Sequence, residues 1–68
     1  MGRLEEAIAA YLELLQRQPR MAQTRANLGE AYAEQGKKQL AIDAYRAALE
    51  LDSTMESARI ALRELRAD

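Results

Sequence analysis

The sequence contains no cysteine and no histidine. That removes disulfides, thiolate nucleophiles, His-ligated zinc and every His-based triad, and it leaves the redox compartment unreadable. Valine, phenylalanine and tryptophan are also missing and tyrosine occurs three times, so strand-forming residues are nearly absent. The longest strongly apolar run, AIAAYL at 7–12, is far too short to cross a bilayer. The opening MGRLEEA has no signal-peptide core, and Glu6 stands where a myristoylation motif requires Ser or Thr. The chain therefore reads as soluble, and cytoplasmic by default. A net charge of -1 favours neither nucleic acid nor an anionic membrane as a partner.

What remains is a helical alphabet rich in Ala, Leu, Glu, Arg and Gln, spread over 68 residues of which 49% are hydrophobic. A chain this short has room for one domain with a small core. Apolar residues recur at helical spacing in four segments: Leu4, Ala7, Ile8, Tyr11, Leu15; then Ala22, Leu28, Ala31, Tyr32; then Ala41, Ile42, Tyr45, Leu49; then Ala58, Leu62, Leu65. The spacing predicts helices over about 3–17, 21–35, 38–51 and 54–66, an all-α chain. Pro19, which lacks an amide donor, separates the first two, and Gly36 caps the second. Ser53 and Glu56 have the S-x-x-E form of a capping box for the fourth.

Sliding the sequence along itself by 34 residues brings GRLEEAIAAYLELLQRQPRM (2–21) onto GKKQLAIDAYRAALELDSTM (36–55). Gly2/Gly36, Ala7/Ala41, Ile8/Ile42, Ala10/Ala44, Tyr11/Tyr45, Leu15/Leu49 and Met21/Met55 coincide. Further on, Arg25/Arg59, Leu28/Leu62, Glu30/Glu64 and Ala33/Ala67 do so as well. The matches fall on helix-periodic apolar positions and turn glycines, as duplicated packing requires.

This pattern resembles the tetratricopeptide repeat (TPR) family, whose unit is a helix-turn-helix of 34 residues. In the copy at 22–55, Leu28-Gly29, Tyr32, Gly36, Ala41, Tyr45 and Ala48 stand at the family's signature positions, and Gly2, Ala7, Tyr11 and Pro19 repeat part of it upstream. The resemblance implies an α-solenoid of antiparallel helix-turn-helix repeats. It divides the chain into the second helix of a first repeat (2–20), a complete repeat (21–52) and a C-terminal capping helix (53–68).

Three departures qualify the match. Arg25 and Arg59 replace a frequent Trp, which thins the packing of both first helices. In GKKQLA (36–41), lysines occupy a helix N-terminus, where the dipole disfavours them, and Leu40 lands on a usually polar face. Arg63 and Arg66 replace the signature Gly and Tyr of the last helix, which marks it as a polar end to the array.

Other constellations carry little chemistry. Glu30 and Glu34, like Glu64 and Asp68, share a helix face, but no pocket or glycine-turned loop accompanies them as acid-base work or a hard cation would require. No catalytic, cofactor-binding or metal-binding residue is assigned, and no cofactor is expected. Arg59, Arg63 and Arg66 form a basic stripe interrupted by Glu56 and Glu64, without the exposed aromatics that would stack bases, so a solvated face accounts for it. The chain is not read as an enzyme.

The resemblance implies a non-catalytic scaffold that binds a partner protein or peptide along the concave face lined by the first helix of each repeat. Carried onto this sequence, that face comprises Gln23, Asn27, Glu30, Glu34, Ser57, Ile60 and Glu64, with Ala26, Ala33, Ala61 and Asp68 beside them. Its carboxylates suit a basic or neutral peptide. One TPR subfamily clamps chaperone C-terminal carboxylates. Asn27 matches its asparagine, but Ser57 and Ala61 replace its Lys and Arg, so that activity is not carried over. The alternative is self-association. The first helix has no partner within its own repeat, which exposes part of the face formed by Leu4, Ile8, Tyr11 and Leu15, and a homodimer through it competes with the chain being the C-terminal piece of a longer array.

Overall fold

Long runs of Ala, Leu, Glu, Arg and Gln favour helix, and four helices form. The computed structural model describes residues 2–67. The helices are α1 (Arg3–Arg17), α2 (Ala22–Glu34), α3 (Lys38–Leu51) and α4 (Glu56–Arg66), with no strand among the described residues. The first three fall within a residue of the expected bounds, while α4 begins two residues later than expected.

The turns explain these limits. Gln18, Pro19, Arg20 and Met21 separate α1 from α2. At the end of α2, Gly36 adopts a left-handed φ of 78°. Its amide bonds to the carbonyl of Ala33 at 3.0 Å, and the Lys37 amide bonds to that of Tyr32 at 2.9 Å. This reciprocal pair is a Schellman cap, and it satisfies carbonyls that the helix end would otherwise orphan.

The capping box expected at Ser53 and Glu56 does not form. Met55 takes the N-cap position, without a side-chain cap. Instead Oδ1 of Asp52 accepts hydrogen bonds from the Thr54 hydroxyl at 2.6 Å and the Thr54 amide at 3.1 Å. These two bonds, the hydroxyl's the larger, hold the Asp52 carboxyl below the usual carboxylate range. The turn is thus organised one residue upstream of the predicted cap, which delays α4. Glu56 pairs with Arg59 at 3.5 Å instead.

Short connections fold successive helices back on one another, with the most extensive interface between α2 and α3. The Cα envelope measures 28 × 26 × 15 Å. The core consists of two clusters. Ile8, Leu15, Leu28 and Ala31 pack with Ala44, joined by Leu4, Tyr11, Met21 and Tyr32. Tyr45, Ala48, Ala58, Leu62 and Ala26 form the second, joined by Ile42, Leu49, Met55 and Leu65. The second is largely the first displaced by 34 residues, with Ile42 for Ile8, Tyr45 for Tyr11, Leu49 for Leu15, Met55 for Met21 and Leu62 for Leu28. Burying one such leucine contributes about 2 kcal/mol.

Position in the stack decides amphipathicity. Buried residues of α2 (Thr24, Ala26, Leu28, Gly29, Ala31) point in several directions because helices flank it on both sides. By contrast α4, packed on one face alone, is the most amphipathic of the four.

Candidate functional site

Packing on both sides fixes α2 and leaves one strip of it facing outward beside a strip of α4. Gly29 sets how closely that surface is underpinned. A Cβ there would lie 3.0 Å from Cδ2 and Cε2 of Tyr45 and 3.1 Å from its Cγ, so the ring rests directly on the α2 backbone. Tyr45, only 7% exposed, passes beneath that surface and emerges between α2 and α4.

Two shallow clefts of about 250 Å³ each result. One is lined by Gln23, Ala26, Asn27, Glu30, Ser57, Ala61 and Tyr45. The other is lined by Ala33, Ala61, Glu64, Leu65 and Tyr45. Tyr45 and Ala61 belong to both and form the saddle between them. Of the residues expected on this face, Gln23, Asn27, Glu30 and Ser57 meet in the first cleft and Glu64 lies in the second. Glu34 and Ile60 are exposed but line neither, and Asp68 lies outside the described residues.

The polar rim is partly preset. Nε2 of Gln23 donates to Oδ1 of Asn27 at 3.0 Å, one helical turn away, which fixes the Asn27 amide. Burial pushes the Tyr45 phenol up from its ordinary pKa, and the carboxylates of Glu30 and Glu34 add to the rise. Glu30 lines the first cleft and Glu64 the second, so each carries one carboxylate. Tyr45 was legible as a core residue but not as a cleft residue, because its helical spacing reports burial without saying which way the ring's far edge points.

The α1 face of Leu4, Ile8, Tyr11 and Leu15, expected to be exposed in part, is covered unevenly. Ile8 and Leu15 are buried, and Leu4 and Tyr11 are half-buried, because Leu28, Ala31 and Tyr32 of α2 pack over them. The less covered strip is Ala7, Ala10, Tyr11 and Leu14, whose counterparts Ala41, Ala44, Tyr45 and Ala48 are all buried. On another side, Leu12 (44% exposed) and Leu40 (46%) flank a cleft between α1 and α3, which Gln35 also lines. The Gln35 Oε1 is buried without a hydrogen-bond partner.

No group of three or more Asp or Glu side chains among the described residues is arranged to hold a metal ion. No helix among them is long and apolar enough to cross a membrane. Paired helices stacked at a fixed sequence period define an α-helical repeat protein. The tetratricopeptide repeat family model matches residues 1–56, and the chain belongs to that family. Tetratricopeptide repeats are generally protein-interaction modules and typically non-enzymatic scaffolds. Comparison with curated proteins gave no match. The family match ends where α4 begins, the helix in which Arg63 and Arg66 replace the signature residues.

Proposed function

We propose that this chain is a protein-binding scaffold whose concave surface holds a basic or neutral peptide segment, with Gln23, Asn27, Glu30, Glu34, Ser57, Ile60 and Glu64 as its contact residues. The observation that carries this reading is the lining of the two clefts: Glu30 stands with Gln23, Asn27 and Ser57 in one and Glu64 stands in the other, with no Lys or Arg in either lining. A small or apolar side chain fits over the Tyr45–Ala61 saddle while a lysine or arginine beside it meets the glutamates. The Gln23–Asn27 amide pair offers further donors and acceptors to the partner's backbone.

Exposed charge pairs contribute modestly, so the affinity is weak and salt-dependent. Titration of the isotope-labelled protein with a Lys/Arg-rich peptide, followed by NMR, tests this. Shifts should cluster at Asn27, Glu30, Ser57 and Ala61 and fade as salt rises. Glu30→Lys should weaken binding by about three- to tenfold, on the order of 1 kcal/mol. Equal or tighter binding of a Glu-rich peptide at the same residues overturns the charge preference. Shifts confined to other surfaces overturn the site.

A further inference from the structure

By the 34-residue register, α4 stands to α2 as the first helix of one repeat to that of the preceding one, and α1 stands to α3 as their second helices. We propose that the two ends of the chain are therefore complementary, so that α4 of one copy can seat on α1 of a second copy as α2 seats on α3, and that Arg63 holds this head-to-tail stacking off.

The interface is already drawn inside the molecule. Ala41, Ala44, Tyr45 and Ala48 of α3 are buried, Ala44 against Leu28 and Ala31 of α2, and Tyr45 and Ala48 between Ala26 of α2 and Ala58 and Leu62 of α4; their counterparts on α1 are the less covered strip. A stacked second copy would repeat the α2–α3 arrangement, with Ile60 in the place of Ala26 and Leu14 in the place of Ala48. Charge favours the same occupant. Within the chain, Leu12 and Leu40 flank one cleft between α1 and α3. Across a junction their places are taken by Arg46 of the first copy and Glu6 of the second, which are opposite charges.

The position that opposes it most is the one that meets the ring. On α2, Gly29 lies directly against the Tyr45 ring, where even a Cβ would stand 3.0 Å away. Its counterpart in α4 is Arg63, which in a stack would meet Tyr11 of the second copy. An arginine side chain cannot be accommodated where a methyl group is already tight, and separating the helices to admit it forfeits the packing around it. Stacking is heterologous and does not close on itself, so its release would produce a concentration-dependent series rather than a single dimer.

The test is sedimentation equilibrium over a concentration series on the whole chain and its Arg63→Gly variant. The unsubstituted chain should stay monomeric, and Arg63→Gly should associate at least about tenfold more tightly. Arg63→Ala should fall between the two, since its Cβ remains. Adding Tyr11→Glu to Arg63→Gly should return the monomer. If glycine frays α4, circular dichroism should show helicity recovering as concentration rises, because stacking reorders the helix. The proposal is overturned if neither mass nor helicity of Arg63→Gly depends on concentration, or if the unsubstituted chain already associates as tightly as the variant.

Discussion

Gly36 and Gly29 are both glycines for physical reasons, but for different ones. At Gly36 the backbone adopts a φ of 78°, and a Cβ would meet nothing within 4 Å. Its constraint is conformational. Left-handed backbone costs an L-residue about 1–2 kcal/mol, so Gly36→Ala should lower the melting temperature by roughly 4–16 °C. Because the obstacle is chirality rather than space, D-alanine placed at 36 by chemical synthesis should restore or exceed the original melting temperature. A loss that D-alanine shares would refute the assignment. At Gly29 the backbone is helical and the constraint is the Tyr45 ring, so chirality offers no such relief there. Arg63, at the equivalent place in α4, shows what the same position becomes when nothing packs on it.

Among the elements, the turns between repeats share a device that composition alone hides. Nε and Nη2 of Arg25 donate to the Pro19 carbonyl at 3.1 and 2.9 Å. Nη2 of Arg59 donates to the Ser53 carbonyl at 3.2 Å. Donors and acceptors are each displaced by the 34-residue period. Both arginines occupy positions where bulk was expected, and they replace buried surface with a clasp between the turn and the helix that follows it. Arg25 gives two donors to its carbonyl and Arg59 one, and all three bonds are exposed. Arg25→Ala should therefore cost about 1 kcal/mol and Arg59→Ala less, read as urea midpoints. Equal costs would show that the clasps do not carry the difference.

The same elements show what the sequence made legible. Helix existence and bounds followed from apolar spacing and from Gly36, since both act within a few residues of where they are read. The start of α4 did not, because Asp52, Ser53 and Glu56 offered competing local arrangements and the Asp52–Thr54 pair prevailed. Nor did the exposed strip of α1 or the cleft position of Tyr45. Spacing marks Ile8, Tyr11, Leu15 and Tyr45 as apolar-facing, yet only tertiary packing decides which neighbour covers each. That Gln23, Asn27, Glu30 and Ser57 face outward together was legible because outward positions of α2 and α4 follow from helical periodicity. Glu34 and Ile60 nevertheless lie beyond the clefts themselves.

At the scale of the whole molecule, the two core clusters are near copies, but they do not occupy equivalent positions. Leu28 lies in α2, which touches helices on both sides, whereas Leu62 lies in α4 at the end of the stack. In a solenoid each unit contacts only its neighbours, so a lesion propagates according to how many interfaces depend on it. Either leucine-to-alanine change removes about 2–5 kcal/mol of local packing. For Leu62→Ala that loss should release α4 alone, because α1, α2 and α3 retain the cluster of Ile8, Leu15, Leu28 and Ala44. Native-state hydrogen exchange should then show faster exchange across Glu56–Arg66, with α2 and α3 amides retaining most of their protection. Leu28→Ala should accelerate exchange in all four helices together, since it opens the cluster that α1, α2 and α3 share. Uniform loss of protection in Leu62→Ala would mean that the chain folds as a single cooperative unit, with α4 as necessary to the stack as α2.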